Sequence, residues 1–265
     1  MKRQSCFCLV PAVVAGILLG GVARAQSPEP ACSMGFTNAI GYGISAKSGV
    51  AFTATAKTSF EQHLPDGSYI RGYMRTRQAR DAAGRMMYET PYGCLRDENG
   101  VPQPEIHVSV SDPATKISLN WQVGVNANKV ARVLHHSDTP ATRLTLEEIA
   151  ARRKASQSQQ LPRSEFRTED LGTRTIAGEE AQGTRTTRTI PPGEVGNELP
   201  LMIVNETWHS MELDIVLLAI NDDPRRGKTT FEVEELSRTE PDPSVFAPPA
   251  GYRTEDSASE AASKP

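Results

Sequence analysis

From Val50 onward, apolar and polar residues alternate with a period of two over most of the chain. Val50, Phe52, Ala54 and Ala56 fall on one side, and Thr53, Thr55 and Lys57 on the other. That spacing predicts a strand with one buried and one solvated face. Leu64-Pro65-Asp66-Gly67-Ser68 comes next, where Pro presets φ and Gly accepts a positive φ, so the chain reverses. A second strand is expected at Tyr69–Arg80 and a third at Arg85–Thr90, joined by Asp81-Ala82-Ala83-Gly84. Three strands with two short turns make an antiparallel meander.

The middle of the chain repeats the pattern. Ile106, Val108 and Val110 alternate with His107, Ser109 and Ser111, Asp112-Pro113 turns, and Ile117, Leu119 and Trp121 alternate again. Lys129–His135 reads as a further strand. Leu144–Gln160 is the one helical pattern: Thr145 and Glu148 have capping-box spacing, and Leu146, Ile149, Ala150 and Arg153 recur at helical intervals. Beyond it, Arg174–Ile176 with Gln182–Ile190 predicts a Thr- and Arg-rich hairpin. Leu201–His209, Glu212–Ile220 and Thr229–Leu236 are expected as strands. Pro241, Pro243, Pro248 and Pro249 force an extended segment whose Val245, Phe246 and Tyr252 are free to dock on the core.

Nine to eleven strands against one short helix predict a mainly β fold: a curved antiparallel sheet, or incomplete barrel, closed by the helix and the Pro-rich end. A two-sheet β-sandwich is the alternative. The domain is expected over residues 49–252, with the helical connection at 144–160 and a disordered tail at 253–265.

The N-terminus sets the compartment. Met1-Lys2-Arg3, an apolar run from Phe7 to Val22 broken by Pro11 and glycines, and Ala23-Arg24-Ala25 form the three-part layout of a signal peptide, cut between Ala25 and Gln26. The run is too short and too broken for a transmembrane helix, and no later apolar stretch is long enough. The mature chain is therefore expected to be periplasmic or secreted. Residues 26–48 form a Pro-, Gly- and Ser-rich lead-in in which Ile40, Tyr42 and Ile44 alternate, enough for an added edge strand. Cys6 and Cys8 leave with the signal. Cys32 and Cys94 are expected to form one disulfide in an oxidising compartment; closing that loop without strain removes roughly 4 kcal/mol of unfolded-chain entropy. Two unrelated thiols are the alternative. The whole chain has a formal charge of −3, and loss of Lys2, Arg3 and Arg24 makes it more acidic, so nothing draws it to nucleic acid.

The turns and the C-terminal block carry a resemblance. Leu64-Pro65-Asp66-Gly67 with Ile70, Arg80-Asp81-Ala82-Ala83-Gly84-Arg85 with Glu89, and Ser111-Asp112-Pro113 come first. Glu169-Asp170-Leu171-Gly172, Ile176-Ala177-Gly178, Gly183-Thr184-Arg185-Thr186-Thr187, Ile190-Pro191 and Asn197 lie beyond them. Glu206-Thr207-Trp208, Asp223-Pro224-Arg225, Gly227 and Glu240-Pro241-Asp242-Pro243 with Phe246 and Pro248 complete the set. In that order, over about residues 49–252, the chain resembles a family of uncharacterised secreted proteins of soil Gram-negative bacteria (Acidobacteria-type). More distantly it looks like the periplasmic lipoprotein-carrier superfamily, which implies a half-barrel with an apolar concave face. The near family implies no activity.

Chemistry-bearing motifs are sparse. His63, His107, His135, His136 and His209 lack ligand spacing, and adjacent strand residues such as His135 and His136 point to opposite faces. His209, beside Trp208 and near Glu206, is the best single histidine, though a hydrogen-bonded sheet histidine is the simpler account. No nucleophile elbow or phosphate loop is present, and Glu147-Glu148, Glu179-Glu180 and Glu234-Glu235 read as solvated pairs. No cofactor and no metal are expected. Arg71, Arg75 and Arg77 share one strand face with Tyr69 and Tyr73, which offers an anion or partner face; pairing with acids on neighbouring strands is the plainer account.

The expected function is an exported, non-enzymatic binding or carrier module that holds an apolar ligand or extended peptide on its curved sheet. A cell-envelope interaction or sensing protein is the alternative, and a hydrolase ranks last.

Overall fold

The computed structural model describes residues 49–136 and 164–256. Among them are twelve strands and a single 3-10 turn at Pro243–Phe246. The strands are β1 (Phe52–His63), β2 (Tyr69–Arg80), β3 (Met86–Arg96), β4 (Pro102–Asp112), β5 (Ile117–Val123) and β6 (Val130–His135). After them come β7 (Glu165–Ile176), β8 (Glu179–Ile190), β9 (Leu201–Ser210), β10 (Ile215–Asp223), β11 (Gly227–Ser237) and β12 (Arg253–Asp256). All belong to one open sheet in the order β12-β6-β5-β4-β3-β2-β1-β11-β10-β9-β8-β7. The mainly β fold and open curved sheet hold, and the two-sheet sandwich does not. The expected helix at 144–160 lies outside the described residues.

Two meanders are joined through the antiparallel pairing of β1 with β11, so strands far apart in the chain meet in mid-sheet. Short-range chemistry sets each hairpin. Between β7 and β8, Ala177 (φ 48°) and Gly178 (φ 83°) are both left-handed, as a two-residue type I′ turn demands.

The buried face switches along the sheet. On the first face, Phe52, Ala54, Ala56 and Thr58 of β1 are buried. The register places Val233 beside Ala56 and Phe231 beside Thr58, and Leu217, Trp208, Ile215 and Ala181 extend that core toward β8. The second core lies on the opposite face. Thr53 stands opposite Ala79, Ala79 opposite Met87, Met87 opposite Val110, and Val110 opposite Leu119. Ala79, Met87, Val108, Val110, Trp121 and Ala131 form this core, with Phe246 packed in. The Pro-rich segment closes it: Phe246 is buried, Val245 and Tyr252 pack beside it, and the Tyr252 hydroxyl donates to the Gln122 carbonyl at 2.7 Å.

Several boundaries differ from expectation: β7 and β8 begin earlier, at Glu165 and Glu179 rather than at Arg174 and Gln182. The domain does not end at 252: β12 pairs in parallel with β6 over Arg253–Asp256, the Arg253 amide donates to Lys129 O, and His135 Nε2 lies 2.9 Å from Asp256. Those backbone and side-chain partners hold residues of the expected tail in the sheet. Strand β3 also continues past Thr90 to Arg96, alongside β4.

One junction is incomplete. The β1–β2 ladder runs from Phe52↔Arg80 to His63↔Tyr69, the whole length of both strands. Among the described residues the β2–β3 ladder holds only the pairs from Arg77↔Glu89 to Arg80↔Met86. Just beyond its end, Pro91 has no N–H to donate, and the β3–β4 register shifts at a bulge between Pro91 and Gly93.

Arg80 is the largest side chain that is fully buried. It sits on the first face, donates to Val50 O at 2.9 Å and to Leu213 O at 2.6 Å, and its guanidinium lies 4.9 Å from the Phe52 ring centroid. Burial pulls its pKa down, while Asp214 and Tyr88 act in the other direction. Leu213, in the turn between β9 and β10, is itself fully buried. A contact from β2 across β1, β11 and β10 requires the sheet to coil strongly around the first core.

Candidate binding surfaces

The predicted row on β2 forms as a row. Tyr69, Arg71, Tyr73, Arg75 and Arg77 share the second face, and the bulge-free β1 ladder keeps them in line. Each arginine has an acidic partner: Arg71 with Glu61 of β1 at 2.6 Å, Arg75 with Glu234 of β11, across β1, at 2.8 Å, and Arg77 with Glu89 of β3 at 2.9 Å. The tyrosines stack on cations: Arg71 lies 4.2 Å from the Tyr69 ring centroid, and Lys57 and Arg75 lie 4.7 and 5.1 Å from that of Tyr73. Exposed pairs of this kind contribute up to about 1 kcal/mol each. An open depression of about 590 Å³ beside the row includes Lys57, Glu61, Arg71, Tyr73 and Lys228 in its lining. A second of about 310 Å³ lies by the Pro-rich segment, among Arg77, Met87, Glu235 and Val245. With acids interleaved among the bases, the row presents no block of unbalanced positive charge.

The far end of the sheet holds a more buried polar cluster. Trp208 on β9 lies directly over Gly183 on β8, with Arg174 from β7 stacked 4.2 Å from its ring centroid. Its indole Nε1–H donates to Glu206 at 2.7 Å, two residues back on the same strand face. Arg185, opposite Glu206, closes an ion pair at 2.8 Å and stands 3.7 Å from Glu169. The Trp208 hydrogen bond, and after it Arg185, holds the Glu206 carboxyl below its ordinary pKa, against the opposing effect of burial.

This cluster gives two expected results. A Cβ on Gly183 would stand 2.6 Å from the Trp208 ring, which no flexible side-chain end can relieve. Gly183→Ala is therefore expected to cost about 1–3 kcal/mol through overpacking, read from urea unfolding midpoints. Glu206 has a lowered folded pKa, so its contribution is present above the unfolded value of about 4.3 and is lost as pH falls through the folded pKa. Wild type is expected to exceed Glu206→Gln in stability at pH 7, with the difference shrinking progressively below about pH 4.3. A difference unchanged down to the acid limit of folding would contradict this.

Among the described residues, strand β7 is the sheet's last strand on this side and pairs with β8 alone. Nine of its twelve residues are exposed, and Phe166 is 67 % exposed. A bulge between Asp170 and Gly172 interrupts its register, with the Gly172 amide bound to Asp170 Oδ1 at 2.8 Å. Arg167 pairs with Glu169 along it. Charges and a bulge of this kind guard an exposed edge against indiscriminate pairing.

The remaining candidates are dispersed. His135 and His136 turn apart, to Asp256 and to Ser118 at 2.6 Å. His209 pairs with Asp214 at 3.2 Å rather than with Glu206, and His63 meets the edge of Tyr69. No three metal-ligating groups converge among the described residues. Glu179 and Glu234 of the acidic pairs bind Arg238 and Arg75. Cys94 lies on β3 opposite Pro104; Cys32, Ala25, Gln26 and the Glu147-Glu148 pair lie outside the described residues. Sequence reading missed the Glu206–Trp208–Arg185 cluster, although the two-residue spacing of Glu206 and Trp208 in a strand placed them on one face.

No family model matches the chain, and no curated protein matches it in sequence. An Acidobacteria-type origin is not supported. Among solved structures, the chain is similar to an uncharacterised conserved protein from Thermus thermophilus, at 9 % identity and a TM-score of 0.38, covering 78 % of this chain and 91 % of that one. It is also similar to a chain of the Pseudomonas aeruginosa MucA/MucB complex, at 11 % identity and a TM-score of 0.32, over 77 % of this chain and 58 % of that one. A DUF1329 family protein from Desulfovibrio piger matches at 11 % identity and a TM-score of 0.19, over 76 % and 90 % of the two chains. Likenesses of this size carry no inference about function. No helix among the described residues is long and apolar enough to cross a membrane.

Proposed function

We propose that the protein is an exported, non-enzymatic binding module that takes an extended polypeptide along the β7 edge of its sheet. The observation that carries this reading is a twelve-residue strand, exposed at nine positions and, among the described residues, terminal in the sheet and paired on one side only. An incoming strand gains main-chain hydrogen bonds there, and side chains on alternate positions supply selectivity. Phe166 at one end and Arg174, stacked on Trp208, at the other bracket the edge with an apolar and a cationic contact. The two depressions on the second face are open and edged by charged side chains, a poor setting for an enclosed apolar ligand. A polypeptide is therefore favoured over a lipid. Export rests on the N-terminal layout of charge, apolar run and small residues, and a Cys32–Cys94 disulfide belongs to the same proposal.

Photo-reactive residues placed at Phe166 and Thr173, with Ser59 on β1 as reference, test the reading in cells. One dominant polypeptide adduct from both β7 positions and none from position 59 is the expected result. Adducts to lipid alone, or the same background pattern from all three positions, would overturn it.

A further inference from the structure

The cluster around Trp208 owes its shape to the bulge in β7. Before the bulge, Arg167 and Glu169 stand opposite Thr187 and Arg185; after it, Gly172 stands opposite Gly183 and Arg174 opposite Ala181. These β8 partners are alternate residues and share one face, so Arg174 lies on the face of Arg185, Glu206 and Trp208. Phe166, opposite Arg188, lies on the other face. Without the extra residue Arg174 would join Phe166 there; re-aiming a side chain is what a bulge does. Gly183 and Gly172 keep the rung beneath clear, so the indole lies against Gly183 and the Arg174 guanidinium stacks 4.2 Å from its centroid.

Charge runs through the cluster as a chain. Arg167 binds Glu169 at 2.8 Å, Glu169 stands 3.7 Å from Arg185, Arg185 binds Glu206 at 2.8 Å, and Glu206 accepts from Trp208. Those two carboxylates match Arg167 and Arg185. Arg174 is the cation left over: exposed on β7, it stands in no ion pair among the described residues and has the Trp208 ring as its contact. Stacking fixes the guanidinium plane and leaves the N–H groups in that plane open to another acceptor.

We propose that Arg174 sets the selectivity of the β7 edge, on whose reading this inference rests, by pairing with an Asp or Glu side chain of the incoming strand. The two oxygens of a carboxylate fit the planar fork and supply the negative charge that the cluster lacks. The register adds a second requirement. Strand β8 covers the distance from Phe166 to Arg174 in seven steps, from Arg188 to Ala181, and a strand added on the other side follows the same pleat. An acid facing Arg174 and an apolar residue facing Phe166 therefore lie seven positions apart in the partner. That odd spacing sends them to opposite faces, as Phe166 and Arg174 are.

Photo-cross-linking in cells from position 166 tests this, with mass spectrometry locating the joined residue of the partner. An Asp or Glu about seven positions from it, one either way for the reach of the probe, is expected; a joined segment without one overturns the inference. That map needs no change at Arg174, so it decides the matter if variants there fail to fold. Arg174→Gln is expected to lower the adduct yield about tenfold, as loss of a charge-assisted pair does. Because Arg174 also packs on Trp208, reversing the pair separates recognition from packing: Arg174→Glu should lose the adduct and regain it when the partner's acid is replaced by Arg. An adduct indifferent to Arg174→Gln leaves the polypeptide edge standing and removes its acidic selectivity. No dominant adduct at position 166 in the chain with Arg174 intact overturns both.

Discussion

Replacing Arg80 with alanine is expected to lower unfolding free energy by about 3–5 kcal/mol, among the largest effects of any single change in this protein. The side chain is fully buried, and its guanidinium supplies donors to Val50 O and Leu213 O while covering the Phe52 ring. Alanine leaves a void under Phe52 and strips one buried carbonyl, Leu213 O, and one part-buried carbonyl, Val50 O, of a donor. Arg80→Met separates the two terms: it refills most of the volume and leaves the carbonyls without that donor, so an intermediate loss is expected. Urea unfolding of the three chains is the check. A loss under about 1 kcal/mol for Arg80→Ala would mean that the β9–β10 turn does not close over β2 as described.

Phe246→Ala is expected to cost a similar amount, about 3–5 kcal/mol, and to act on one face only. The ring is buried in the second core among Ala79, Met87, Val110 and Trp121, with the Arg85 guanidinium 4.7 Å from its centroid. Arg85 is itself held by Asp81 at 2.6 Å, so the ring is clamped from outside as well as packed from inside. Loosening this segment also loosens Tyr252 and β12, which come after it in the chain. Hydrogen exchange should therefore show β6 and β12 losing protection together, while β8–β10 around the first core keep theirs. Equal loss across the sheet would contradict the assignment of two cores on opposite faces.

Much of the fold was legible because β-hairpins are local. The alternation at Val50–Lys57 and the Pro65-Asp66-Gly67 turn each report geometry within a few residues. The docking of Val245, Phe246 and Tyr252 was legible from their place in a segment that proline keeps out of regular pairing. The joining of β1 to β11 was not, since period-two patterns say which face is buried but not which strand lies alongside. For the same reason the switch of buried face between β1 and β3 stayed hidden. Arg80 shares a strand with Arg71, Arg75 and Arg77 and differs from them only in parity; nothing local marks it as the buried one. The extension to β12 was missed because Arg253–Asp256 is wholly polar and takes its order from partners more than a hundred residues away.

The arginine and tyrosine row formed where the pattern placed it, and the acids that face it came from β1, β3 and β11, which one strand's sequence could not supply. The β7 edge was hidden for the opposite reason. A strand rich in Thr, Arg and Glu reads the same whether its outer side meets water or another strand, and only the sheet order makes it terminal.

That openness is the claim on which the proposed polypeptide edge depends, and the exchange rates of individual backbone amides along β7, resolved by NMR, test it most directly. In a terminal strand only the amides that point toward β8 are hydrogen-bonded, so slow and fast exchange should alternate along Glu165–Ile176 on either side of the bulge, as it should along β12. Uniformly slow exchange through both β7 and β12 would mean that the two edges pair and the sheet closes into a barrel, leaving no edge for a partner.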